Sequence, residues 1–134
     1  MKSIVYNTDC LEAMRAMPDK AFNLAIVDPP YGDECDLKNY SGSRCDLNHG
    51  FSALWIADKQ KTWNTSPSEE YFNELKRVSR NQIIWGGNYF NLGSTSCYLI
   101  WDKGQRDFTF ADAELAWTSF KSCVRIFNYA RAKS

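Results

Sequence analysis

The stretch Phe22-Asn23-Leu24-Ala25-Ile26-Val27-Asp28-Pro29-Pro30-Tyr31-Gly32 decides how this chain is read. Its first six residues are nearly continuous in apolar character. That is the pattern of a strand buried on both faces, and such strands are typical of α/β sheets. The strand then stops on two consecutive prolines, which fix φ and remove two backbone donors, leaving carbonyls free to accept. A carboxylate (Asp28) precedes them and an aromatic ring (Tyr31) follows. Ligands of open α/β sheets bind just beyond the carboxyl ends of strands, so Asp28, Pro29, Pro30 and Tyr31 stand where chemistry is expected.

Working outward toward the N-terminus, Ser3 to Tyr6 is a short β-prone run. Asp9 follows as a helix N-cap with Glu12 in the capping-box position; Leu11, Met14 and Met17 share one face, and Pro18 ends the helix. Strand, helix, strand is the rhythm of a crossover unit. Toward the C-terminus, residues 33–66 mix Asp, Asn, Ser and Gly with scattered aromatics and no sustained period, and are expected to form a variable loop. Ser66, Pro67 and Glu69 announce a second helix with Ser66 as its cap, and Tyr71, Phe72, Leu75 and Val78 form its apolar stripe. Gln82–Trp85, Cys97–Trp101, Ala113–Phe120 and Val124–Tyr129 read as further strands. The expectation is a single α/β domain over 1–134, with a mixed sheet and flanking helices.

The 134 residues suffice for one domain with a hydrophobic core, and 44% hydrophobic with 24% charged residues describes a globular chain. The net charge of zero excludes binding to nucleic acid by bulk charge. Its distribution is uneven: residues 1–114 hold 12 basic and 16 acidic side chains, and residues 115–134 hold four basic and none acidic. Lys121, Arg125, Arg131 and Lys133 are therefore either phosphate contacts or a solvated tail. Five cysteines without a CxxC pair, no opening signal peptide and no apolar run near the roughly 20 residues of a membrane helix point to a cytoplasmic protein with free thiols. Cys35, Cys45 and His49 match no common zinc spacing, so no metal is expected. His49, the only histidine, lies in a polar stretch and is rejected as a catalytic base.

The residues at the strand exit suit one chemistry. The lone pair of an exocyclic amine on a base is delocalised into the ring and attacks poorly. Acceptors on its two N–H bonds, here the Asp28 carboxylate and the Pro29 carbonyl, can draw the nitrogen toward tetrahedral geometry and localise that pair. Tyr31 can stack on a base taken out of a duplex, and the remaining contribution is in-line positioning of a methyl donor.

Asp28-Pro29-Pro30-Tyr31 resembles the catalytic motif of the DNA amino-methyltransferases, in the form similar to the adenine-N6 enzymes. The resemblance extends to Asn7-Thr8-Asp9-Cys10, which looks like the family's acidic loop at the donor's adenosine moiety. Ile84-Trp85-Gly86-Gly87-Asn88-Tyr89-Phe90 looks like the strand end and loop of the target pocket. Leu99–Gly104 and Ala113–Trp117 are similar to the strands that follow, and the overall pattern is similar to phage or prophage enzymes. The resemblance implies a partial Rossmann-like methyltransferase fold, S-adenosylmethionine as methyl donor and DNA as partner. Asp9, Cys10 and Asp28 would face the donor, and Tyr31, Asn88, Tyr89 and Phe90 the base. Asp9 can also be read as a helix cap alone. Trp85, Trp101 and Trp117 are expected in the core, while Gly104 to Asp107 and Asp112 read first as a polar turn, with DNA contact by Lys103 or Arg106 as the second reading. Cytosine-N4, RNA adenine or a protein amide are alternative acceptors, and a non-catalytic remnant that binds nucleic acid or a partner chain is an alternative of another class.

In the family the donor also rests on a glycine-rich loop, and this sequence contains none. In the permuted order with the catalytic motif first, that half would follow Ser134. It would supply two strands between Ser3–Tyr6 and Phe22–Asp28. The expectation is therefore a fragment with an exposed apolar edge, completed by another chain or by self-association, and binding S-adenosylmethionine weakly or not at all alone.

Overall fold

The structure, a computed structural model, describes residues 3–32, 65–104, 106 and 111–129. Of the expected 33–66 loop only Thr65 and Ser66 fall among these, and Cys35, Cys45, His49, Arg131 and Lys133 lie outside them.

The described elements run α1 (Cys10–Arg15), β1 (Phe22–Val27), α2 (Glu69–Val78), β2 (Ser79–Trp85), a short 3₁₀ turn (Gly87–Tyr89), β3 (Tyr98–Asp102), β4 (Ala113–Thr118) and β5 (Arg125–Asn128). The strands form one mixed sheet in the order β1-β2-β4-β3-β5. β1 pairs parallel to β2 and β3 parallel to β5, whereas β4 lies antiparallel to both β2 and β3. The chain is thus an α/β fold with a mixed sheet and flanking helices. Four strands share one direction, so the carboxyl ends of β1, β2 and β3 gather at a single rim.

α1 begins where Asp9 accepts hydrogen bonds from the Leu11 and Glu12 N–H groups, both at 3.0 Å. α2 begins two residues later than expected: the cap is Ser68, whose Oγ accepts from the Tyr71 N–H, while Pro67 lies before the cap. A serine followed by Glu69 and Glu70 satisfies the first turn as well as Ser66 would, and it also places two carboxylates at the positive helix end. Phe72, Leu75 and Val78 are buried, as the stripe requires, together with Met14, Ile84, Leu92 and Trp117.

β2 starts at Ser79, ahead of the apolar Gln82–Trp85 run, with no loop after α2. The polar opening of this strand is satisfied internally. Ser79 is fully buried and donates to the Leu75 carbonyl at 2.5 Å, and Gln82 donates to the Ser79 Oγ at 2.9 Å.

Two expectations are corrected. Ser3–Tyr6 is not a strand: it pairs with no described strand, and Ile4, Val5 and Tyr6 are exposed. β1 is not buried on both faces either. Ala25 and Val27 pack on the core cluster, but Phe22, Leu24 and Ile26 are exposed. The reason is topological: among the described residues α1 and α2 cover only one face of the sheet, and successive side chains of a strand point to opposite faces. The core lies between the sheet and α1 and α2. The opposite face carries Phe22, Leu24 and Ile26 of β1 and a cluster in which Trp85 meets Trp101 and Phe127 edge-on, with centroids 6.5 and 6.4 Å apart. Of the three expected core tryptophans only Trp117 is buried; Trp85 and Trp101 are half-buried on that second face. Among the described residues β1 is the outermost strand of the sheet, with apolar side chains exposed.

Candidate active site at the end of β1

β1 ends at Val27, and the chain then turns on its two prolines. Asp28 is exposed, Pro29 buried and Pro30 half-buried. A cavity of about 520 Å³ opens against them. α1 brings Asp9, Cys10 and Leu11 to its wall, and the start of α2 brings Pro67, Ser68 and Tyr71. Residues distant in sequence thus meet at one strand end: Asp9 and Cys10, singled out with Asp28 from the sequence, line the same cavity as Asp28, Pro29 and Pro30. The Asp9 carboxylate holds two positions at once: it lines the cavity, and its Oδ1 is the acceptor that caps α1.

Pro67, Ser68 and Tyr71 were not foreseen as site residues. Their sequence signals were a helix start and an apolar stripe, both structural, and only the docking of α2 turns them toward Asp28. Tyr71 packs edge-on against Phe72 at 5.1 Å. Burial, and secondarily the neighbouring Cys10, push its phenol up to about 12.

Tyr31 does not line the cavity. Its hydroxyl donates to Asp28 Oδ1 at 2.9 Å, its ring stacks on Tyr89 with centroids 4.9 Å apart and planes 28° from parallel, and Phe90 meets it edge-on at 6.1 Å. Burial first, then the hydrogen bond to Asp28, hold its phenol well above the ordinary tyrosine range. The ring rests on Gly86, where an added Cβ would lie 2.1 Å from Tyr31 Cε1 and where φ is +65°. The next residue, Gly87, would drive a Cβ to 2.3 Å from Trp117 Cβ. The paired glycines therefore serve close approach to two of the chain's own aromatic residues.

Tyr31, Tyr89 and Phe90 are brought together with Asp28, and Asn88 is exposed in the same turn. A second cavity, of about 300 Å³, lies between α2 and this turn, with Asn73, Lys76, Tyr89 and Phe90 on its walls. Lys103 and Arg106 are not brought to the cavity at Asp28. Lys103 is 6% exposed and ion-paired with Glu114 at 2.5 Å, and Arg106 is paired with Asp102 at 2.8 Å. Both are engaged where a phosphate contact would need them free. Lys121 and Arg125 are exposed.

Cys10, Cys97 and Cys123 are free thiols. Among the described residues no group of three or more His, Cys, Asp and Glu is gathered as a metal-ligand set, and no helix is long and apolar enough to cross a membrane. Comparison with protein-family models, with curated proteins and with solved structures finds no match to this chain.

Proposed function

We propose that this chain carries the catalytic motif of an S-adenosylmethionine-dependent methyltransferase with a partial Rossmann-like fold, acting on the exocyclic amine of a nucleic-acid base, with the N6 of DNA adenine as acceptor. One observation carries the reading. A carboxylate and two prolines at the end of β1 line a cavity that Asp9 and Cys10 also line.

The cavity suits such a donor. Its volume lies within the range of small-molecule sites, Asp9 and Asp28 offer carboxylates to a cationic group or to ribose hydroxyls, and Leu11, Val27, Pro67 and Tyr71 add apolar wall. When bound, S-adenosylmethionine supplies an electrophilic methyl group. Asp28 accepts from one N–H of the acceptor amine and Pro29, which has only a carbonyl to offer, accepts from the other. With the lone pair localised on nitrogen, an N–CH3 bond would form as the donor's S–CH3 bond breaks, S-adenosylhomocysteine would leave, and the amine proton would pass to the Asp28 side. Water exclusion and in-line positioning supply the remainder. The exposed Lys121 and Arg125 suit a phosphate backbone.

The edge of β1, bare among the described residues, supports a further part of the reading: a complementing chain lies there in the working enzyme and adds the glycine-rich wall that this sequence lacks, whereas a second copy would cover the edge without adding that wall. The test is transfer of labelled methyl from S-adenosylmethionine to duplex DNA, by the chain alone and together with a polypeptide carrying that wall. Label is expected in adenine, and Asp28→Ala should lower incorporation by about 10²–10⁴-fold, the usual contribution of a positioned proton acceptor. Label in cytosine would change the acceptor. An Asp28→Ala chain as active as the parent would end the methyl-transfer reading.

A further inference from the structure

The contacts of Tyr31 reproduce those that an acceptor base would make. Its hydroxyl donates to Asp28 Oδ1 at 2.9 Å, as an exocyclic N–H would, and its planar ring stacks on Tyr89 at 4.9 Å, as a base would. We propose that Tyr31 is a built-in placeholder for the acceptor, and that a planar aromatic amine occupies the Asp28–Tyr89 site only after Tyr31 has swung out of it. The inference rests on the amino-acceptor reading of Asp28. It changes the part Tyr31 plays: Tyr89 becomes the stacking platform, and Tyr31 becomes the ring that yields.

Three observations favour a yielding ring over a fixed structural one. Tyr31 lies in the turn after β1, outside any helix or strand. Tyr89 is 49% exposed, so the platform is reachable from solvent. Gly86 has no side chain to wall off the space the ring would vacate, and its approach to Tyr31 is to three consecutive ring atoms, with the virtual Cβ 2.1–2.7 Å from Cε1, Cδ1 and Cζ. The seat is thus shaped to a flat ring through backbone contact, which any flat ring of similar size can use. Burial and the Asp28 contact hold the Tyr31 phenol above the ordinary tyrosine range.

The experiment titrates free adenine into the full chain, followed by the backbone amide resonances of Gly86 to Phe90 and of Asp28. The parent, Tyr31→Ala and Tyr31→Phe are compared, with p-cresol as a second probe. Tyr31→Ala empties the seat and should bind adenine at least about ten-fold more tightly than the parent. Tyr31→Phe keeps the ring on Gly86 and Tyr89, and with them the local fold, but loses the bond to Asp28. It should gain roughly ten-fold over the parent, the factor commonly carried by a hydrogen bond to a charged acceptor. Equal adenine affinity in all three chains would overturn the placeholder. So would a Tyr31→Ala chain that accepts p-cresol and refuses adenine, a result that leaves the methyl-transfer reading standing. Tighter adenine binding in both variants, with no labelled methyl delivered by any chain, would support the placeholder and count against methyl transfer alone.

Discussion

Tyr71 packs against Phe72 and lines the cavity at the end of β1, and its phenol registers both settings. Its ordinary value of 10 rises to about 12, chiefly by burial. The folded state therefore holds this proton more tightly than the unfolded chain does. The resulting stabilisation is fully present below pH 10 and is lost as the pH climbs from 10 to about 12. Tyr71→Phe should flatten that alkaline decline, read as urea midpoints between pH 9 and 12; parallel curves for parent and variant would refute the assignment. The sequence could mark Tyr71 only as a member of an apolar stripe, because a periodic pattern reports which face is inward and not what lies opposite. Lys103 errs in the other direction. Its place beside a polar turn suggested a DNA contact, yet Glu114 from β4, eleven positions on, draws it inside.

α1 has six residues, too few to persist without tertiary support. It is fastened at both ends. Asp9 caps the first turn, and Arg77 of α2 donates to the Met14 and Met17 carbonyls at 2.8 and 2.9 Å while pairing with Asp19 at 2.7 Å. Asp9→Ala should cost about 1 kcal/mol of stability, and Asp9→Ser, which restores a capping oxygen without charge, should regain most of it in chemical denaturation. If Asp9 also faces the methyl donor, Asp9→Ser keeps the stability and loses donor affinity, which separates its two positions in one variant. The cap at Asp9 was legible because capping is decided within four residues. The start of α2 was not, since Ser66 and Ser68 are both competent caps and the choice follows from how the helix seats on Ile84 and Trp117. The first three residues of β2 escaped notice for a related reason: Ser79, Arg80 and Asn81 look like a turn until their partners in α2 and β1 are known.

At the scale of the molecule, α1 and α2 cover one face of the sheet and leave the other bare among the described residues. Phe22, Leu24 and Ile26 are 46%, 41% and 61% exposed along an unpaired edge that contains no charge, proline or bulge to discourage pairing. Such an edge should drive concentration-dependent association of the isolated chain. Leu24→Lys with Ile26→Lys should weaken it by about ten-fold or more, given roughly 1.5–3 kcal/mol for each buried aliphatic side chain. Sedimentation velocity with an unchanged near-ultraviolet spectrum checks this, and a parent chain that stays monomeric at high concentration would count against an interface here.

Taken alone, the sequence determined everything settled by neighbours a few residues apart: the α/β rhythm, the strand that runs into Asp28-Pro29-Pro30, the cap at Asp9 and the inward face of α2. These follow from short-range sterics, hydrogen bonding and periodicity. Tertiary structure alone decided that β1 is the edge of the described sheet, that Ser3–Tyr6 pairs with no described strand, that Tyr71 walls the cavity, and that Tyr31 turns from the cavity to hold Asp28 and stack on Tyr89. Each of those depends on which distant segment arrives alongside, and strand order and helix docking are not written in any local window.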